Sequence, residues 1–103
     1  MIKASLLYPN TEGARFDYSY YLDNHLPMVK ARLGTALKRL CVERGLYGAP
    51  GTSAPYIALG HLYFNSVEAM SEAYAPHARE ILGDIPNFTD LQPMMIICEV
   101  LID

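Results

Sequence analysis

The chain has 103 residues, 51% of them apolar and 18% charged, with a net charge of −3. That length makes one domain, and the composition excludes a disordered chain, a collagen-like repeat and a coiled coil. The acidic balance lacks the basic footprint of a nucleic-acid binder, no apolar stretch is long enough to span a membrane, and two cysteines cannot build a disulfide scaffold or a zinc cage.

Ile2 to Tyr8 reads as a strand, short and mostly apolar, stopped by Pro9-Asn10. The first residues lack the apolar core and cleavage site of a secretory signal, so a reducing cytoplasm is the expected compartment. After a polar loop, Phe16 to about Leu33 reads as a helix, because Tyr18, Leu22, Leu26, Val29 and Leu33 recur on one helical face. Pro27 lies inside that pattern and predicts a kink or break there. Gly34 is the expected C-cap.

Ala36 to Tyr47 reads as a second strand whose charges suit an edge. Gly48 to Pro55 is a Gly/Pro-rich hairpin loop. Tyr56 to Phe64 is almost uncharged on both faces and is expected at the centre of the sheet. Asn65-Ser-Val-Glu68 has capping-box spacing with Asn65 as the cap, and a helix follows to about Ala75. Pro76 interrupts it, and a second piece from His77 to Leu82 is closed by Gly83. Asp84 to Leu91 reads as a loop and Met94 to Ile102 as a last strand.

The order strand, helix, strand, strand, helix, strand is the α+β ferredoxin-like βαββαβ arrangement, over residues 1–103. Two helices cover one face of a four-stranded antiparallel sheet in the order 4-1-3-2. Two strands are nevertheless apolar on both faces. A second copy of the sheet is the simplest cover, which predicts a homodimer joined through sheet faces. Cys41 and Cys98 fall on opposite edges, so no disulfide joins them.

Asp17, Tyr21 and His25 are spaced i, i+4, i+8 on one ridge beside the apolar stripe, with Arg32 near the same angle. A histidine beside a tyrosine at a pocket edge can act as general base or acid near neutral pH. It can equally be a structural imidazole that binds a carbonyl freed by Pro27. His61 shares a face with Leu59 and Tyr63, which points it to the dimer face and a hydrogen bond with the partner. Ala58 and Gly60, on the other face, are small and leave space for a cavity beneath a helix. His77 is expected at the surface. Asp90 either caps a turn or points into the cavity. Nucleotide, zinc-protease and serine-hydrolase motifs are absent. Scattered histidines disfavour a metal site, and spacing alone leaves a haem held by one histidine open.

Phe16, Tyr20-Tyr21 and His25-Leu-Pro27 resemble the F-x₃-YY-x₃-H-x-P signature of EthD-like proteins. Asp84-Ile-Pro-Asn-Phe-Thr-Asp90 is similar to a second recurring stretch of that family, and Phe64 to Ala69 to the junction between them. The resemblance implies a dimeric α+β barrel with the ligand cavity between sheet and helices. Its wider superfamily includes cofactor-free monooxygenases, muconolactone isomerases, polyketide cyclases and haem proteins. Carried over, it implies His25 as the catalytic or ligand-contact residue, Tyr21 as its hydrogen-bond partner and Asp90 as a further candidate. The expected function is a cofactor-free enzyme, or an oxygenase-associated protein, acting on a small hydrophobic molecule. A non-catalytic dimeric accessory protein and a haem-binding protein are the alternatives.

Overall fold

Alternation along β1 (Ile2–Pro9) places Ala4, Leu6 and Tyr8 on one face of the sheet and Lys3, Ser5 and Leu7 on the other. In the computed structural model, which describes residues 1–103, β1 pairs antiparallel with both β3 (Tyr56–Phe64) and β4 (Met94–Glu99). The edge strand β2 (Arg39–Arg44) pairs with β3, which gives the order β2-β3-β1-β4, as expected. β3 ends where the sequence places it. β2 is shorter than expected, because Gly34–Ala36 forms a 3₁₀ turn before it and the Gly45 N–H turns to the Ile57 carbonyl after it. β4 likewise stops at Glu99 and not at Ile102.

The first helical arm stays helical from Tyr18 to Leu33, in three pieces. These are α1 (Tyr18–Tyr20), a π-helical turn (Tyr21–His25) and α2 (Leu26–Leu33). Pro27 does not break the arm. It occupies the opening turn of α2, where a missing donor is tolerated. The wider π turn just before it, with the Leu26 N–H bonded to the Tyr21 carbonyl, opens the ladder upstream of the proline ring. Asp17 caps α1 by accepting from the Tyr20 N–H at 3.1 Å. Gly34 ends α2 at φ 59°, a conformation few other residues adopt.

The second arm is α3 (Val67–Tyr74), a 3₁₀ turn at Ala75–His77, and α4 (Ala78–Asp84). The cap of α3 is Ser66 and not Asn65: extended at φ −155°, Ser66 accepts from the Ala69 N–H at 3.0 Å. Gly83 does not close α4. Helix continues through Asp84 into a 3₁₀ turn at Ile85–Asn87, where Pro86 takes an early position that needs no donor. Arg32 joins the two arms through a two-pronged pair with Glu80, at 2.8 and 3.1 Å.

Both arms lie over the face carrying Ala4, Leu6 and Tyr8, and the core there divides into two clusters. One contains Val29, Leu33, Phe64 and Ile81; the other contains Tyr8, Tyr21, Ile85 and Phe88. The opposite face carries Leu7, Leu59, Tyr63 and Ile96 with no element of the chain over it. β4 is exposed on both faces, from Met94 at 57% through Ile97 at 40%. An uncovered apolar edge strand is a surface that proteins normally cover. Cys41 and Cys98 are free.

Candidate functional site

Between the two core clusters, under the helical arms, lies a cavity of about 200 Å³. Of its 17 lining residues 14 are hydrophobic, and no lysine, arginine, aspartate or glutamate is among them. The lining residues with polar groups on their side chains are His25, Tyr8, Tyr21, Tyr74 and Ser71. Gly60 forms part of the floor: a Cβ there would lie 2.8 Å from the Tyr21 hydroxyl. The small residue expected beneath the helix is therefore what admits that hydroxyl.

The π turn sets the histidine. It stacks the rings of Tyr21 and His25 nearly parallel, 17° apart with centroids at 6.0 Å. Phe88 closes on both, 4.6 Å from the His25 ring and 5.0 Å from the Tyr21 ring. Tyr21 is thus a stacking neighbour of His25 and not its hydrogen-bond partner, correcting the expectation from the resemblance. The partner is Asp84, whose Oδ2 lies 2.9 Å from His25 Nδ1. Asp84 also accepts from the Tyr20 hydroxyl at 2.7 Å and from Asn87 Nδ2 at 2.9 Å. The tyrosine pair divides its work: Tyr20 braces the carboxylate and Tyr21 walls the cavity.

The electrostatics give His25 a defined protonation state. Burial pushes its pKa below the ordinary imidazole value, outweighing the opposing pull of Asp84. For Asp84, burial acts to raise the pKa, but hydrogen bonds from Tyr20, Asn87 and His25 together hold it below the ordinary aspartate value. An ionised Asp84 can only accept, so Nδ1 carries the proton. Nε2 then holds a free lone pair. No hydrogen bond reaches Nε2 or the Tyr8 and Tyr21 hydroxyls, and no sealed side-chain nitrogen or oxygen lacks a partner. These free atoms therefore face accessible space, and all three residues line the cavity. A neutral, oriented imidazole in an apolar pocket is equipped to take a proton from a bound molecule.

The loop after α4 locks this arrangement. The Phe88 carbonyl accepts from the Asp17 N–H at 2.7 Å, and the Thr89 hydroxyl donates to the Arg15 carbonyl at 2.6 Å. Asp90 is exposed and accepts from the Arg15 N–H at 3.1 Å. It ties the loop to the distant Arg15 backbone, so it neither caps its own turn nor lines the cavity. Asp17 and Arg32 leave the ridge in the same way, one as a helix cap and the other as the partner of Glu80.

His61 is on the open sheet face, as its alternation requires, with both hydrogen-bond partners in its own chain: Ser5 Oγ at 2.7 Å and Glu43 Oε1 at 2.8 Å. His77 is half-buried in the 3₁₀ turn, not at the surface, and is not a lining residue. No group of three His, Cys, Asp or Glu side chains converges. A haem does not fit a cavity of about 200 Å³, which is below even the usual ~300–1,000 Å³ of drug-sized pockets.

Asp84 and Tyr8 join the site beyond the residues that the sequence singles out. Asp84 lies 59 residues from His25 at what reads as a helix-to-loop boundary. Tyr8, at the end of β1, looks like ordinary core.

A four-stranded antiparallel sheet under two helical arms, with a histidine-bearing apolar cavity between them, defines a ferredoxin-like α+β protein. The EthD domain model matches residues 14–92, and the chain belongs to the EthD family. The fold is similar to that of an EthD-like protein from Ralstonia eutropha JMP134, at 48% identity over 99% of this chain and 93% of that one, with a TM-score of 0.93. An ethyl tert-butyl ether (EthD) family protein from Bacillus halodurans C-125 shares 20% identity over 98% and 99% of the chains, with a TM-score of 0.77. A DABB family protein with a ferredoxin-like fold from Mesorhizobium loti MAFF303099 shares the fold at 12% identity, TM-score 0.61, over 97% and 96%. A search of curated protein sequences finds no match.

Proposed function

We propose that this EthD-family chain binds a small hydrophobic molecule in the cavity and moves a proton to or from it through His25 Nε2, without a cofactor. The carrying observation is the Asp84–His25 pair, 2.9 Å apart, beside an apolar cavity that His25 lines, with Nε2 unpartnered in the chain. A structural imidazole would spend its ring nitrogens on the fold, for example on a carbonyl freed at Pro27. Here one nitrogen is fixed by a carboxylate and the other is left free. The apolar walls exclude water, which strengthens a base and protects its product. A comparable cavity of about 150 Å³ holds benzene, so the ligand is about one ring in size. A place in the oxidative breakdown of small apolar compounds accords with membership of the EthD family, which is named for ethyl tert-butyl ether degradation.

The working unit in this reading is a homodimer through the open sheet face. Support comes from that face carrying Leu7, Leu59, Tyr63 and Ile96 uncovered, and from β4 exposing apolar side chains in succession. The test is a screen of one-ring and branched small molecules by protein NMR, on wild type and His25→Gln. Saturable shifts at His25 and at lining residues support the reading. A folded wild type that binds none of them, with a cavity closed to ligands, overturns it.

A further inference from the structure

Resting on the reading that the cavity is the ligand site, we propose that its ligand is a small neutral carbonyl compound, held by its oxygen between the Tyr8 and Tyr21 hydroxyls, and that His25 removes the proton from the carbon beside the carbonyl. The two tyrosines come from separate elements, β1 and the π turn, yet their rings meet edge to face with centroids 5.9 Å apart. The same aromatic cluster contains Phe16 and Phe88, in contact with both tyrosines. Packing alone is thus met by phenylalanine within this cluster. The two hydroxyls add polar atoms to an apolar wall and have no partner in the chain, a combination that calls for a ligand. Burial raises both phenols above their ordinary value, Tyr21 to about 12, and Tyr8 is raised further by its neighbour Tyr21. Both therefore stay protonated and serve as donors.

The donor set selects among ligands. A hydrocarbon would leave two buried hydroxyls unpaired. A carboxylate would need a cation, and no lysine or arginine lines the cavity. A carbonyl oxygen takes both donors and gains charge during enolisation, when fixed donors in a dry site help most. The electron pair of the α-carbon–hydrogen bond becomes the new C=C bond. The carbonyl π pair moves to the oxygen between the tyrosines, and the proton goes to His25 Nε2. The imidazolium is held through Nδ1–H by Asp84. Returning the proton to the same carbon, or to a conjugated one, completes an exchange or an isomerisation with no oxidant or reductant.

The test compares toluene with p-cresol, which differ by one hydroxyl, by calorimetric titration of wild type and the Tyr8→Phe/Tyr21→Phe variant. The preference for p-cresol should fall at least about tenfold in the variant, and toluene should bind as well or more tightly, because the apolar walls are retained and no hydroxyl is left unpaired beside it. In D₂O, wild type should speed deuterium uptake at the methyl group of acetophenone, seen by proton NMR. That uptake should fall at least about a hundredfold in the variant, checked as folded by circular dichroism. An equal p-cresol preference in both proteins overturns the oxygen site. No uptake above buffer with acetophenone or 2-cyclohexen-1-one overturns the proton transfer. Failure of both toluene and p-cresol to bind wild type overturns the cavity reading on which the proposal rests.

Discussion

Asp84→Asn isolates the group that holds His25 in its working state. The carboxylate accepts three hydrogen bonds, from Tyr20, His25 and Asn87, at 2.7, 2.9 and 2.9 Å. Asparagine keeps one oxygen and replaces the other with a donor. With the oxygen retained by Tyr20 and Asn87, the amide faces Nδ1 and the imidazole must turn its lone pair there. Nε2 then carries the proton and can no longer accept one. A hydrogen bond to a charged group contributes about 1.5–3 kcal/mol. One such bond is inverted and two are weakened, on a side chain that keeps 18% of its surface exposed, so the loss is about 2 kcal/mol. For a domain of this size that lowers Tm by about 8–16 °C. Any turnover that uses His25 as a base should fall by about 10²- to 10⁴-fold, because the tautomer is wrong. Long-range ¹H–¹⁵N NMR reads the tautomer directly: Nδ1–H in wild type and Nε2–H in the variant. An unchanged Nδ1–H tautomer in a folded Asp84→Asn protein would refute the reasoning.

His25 makes folding pH-dependent in a defined direction. Its folded pKa lies below the unfolded value of about 6.5, so below that pH the unfolded chain binds the extra proton and stability declines as pH falls. His25→Gln should flatten this slope in urea melts between pH 7 and 5, leaving the Asp84 contribution, which is lost only at more acid pH. Gly60→Ala places a Cβ 2.8 Å from the Tyr21 hydroxyl. It should cost about 1–3 kcal/mol and weaken p-cresol binding measured by titration. Leu59→Arg on the open face should convert a sedimenting dimer to a monomer with a native circular dichroism spectrum; an unaltered dimer would place the interface elsewhere.

The strand order and β3 were legible because two-residue alternation and turn residues are local signals. The π turn was not. Pro27 signals that something must give, but the choice between a kink and a widened turn is settled by the packing of Tyr21 and His25 against Phe88. The α3 cap shows the same limit: Asn65 and Ser66 are both good caps, and the extended backbone at Ser66 decides. His25 and Tyr21 could be found from their shared ridge. Asp84 stands at the head of the family-like stretch Asp84 to Asp90, but its pairing with the histidine has no local signal, since the tertiary approach of α4 to the π turn creates it. Asp90 misled for a related reason: a carboxylate near Phe88 resembles a site residue until its bond to the Arg15 N–H is seen.

The most direct measurement is an NMR titration of the wild-type protein with toluene, following the His25 side chain and the amides of Val29, Gly60 and Leu62. The account predicts saturable, 1:1 shifts at these cavity residues, with His25 retaining its Nδ1–H tautomer. Shifts that never saturate, or that map only to Leu59 and Ile96 on the open sheet face, would contradict it.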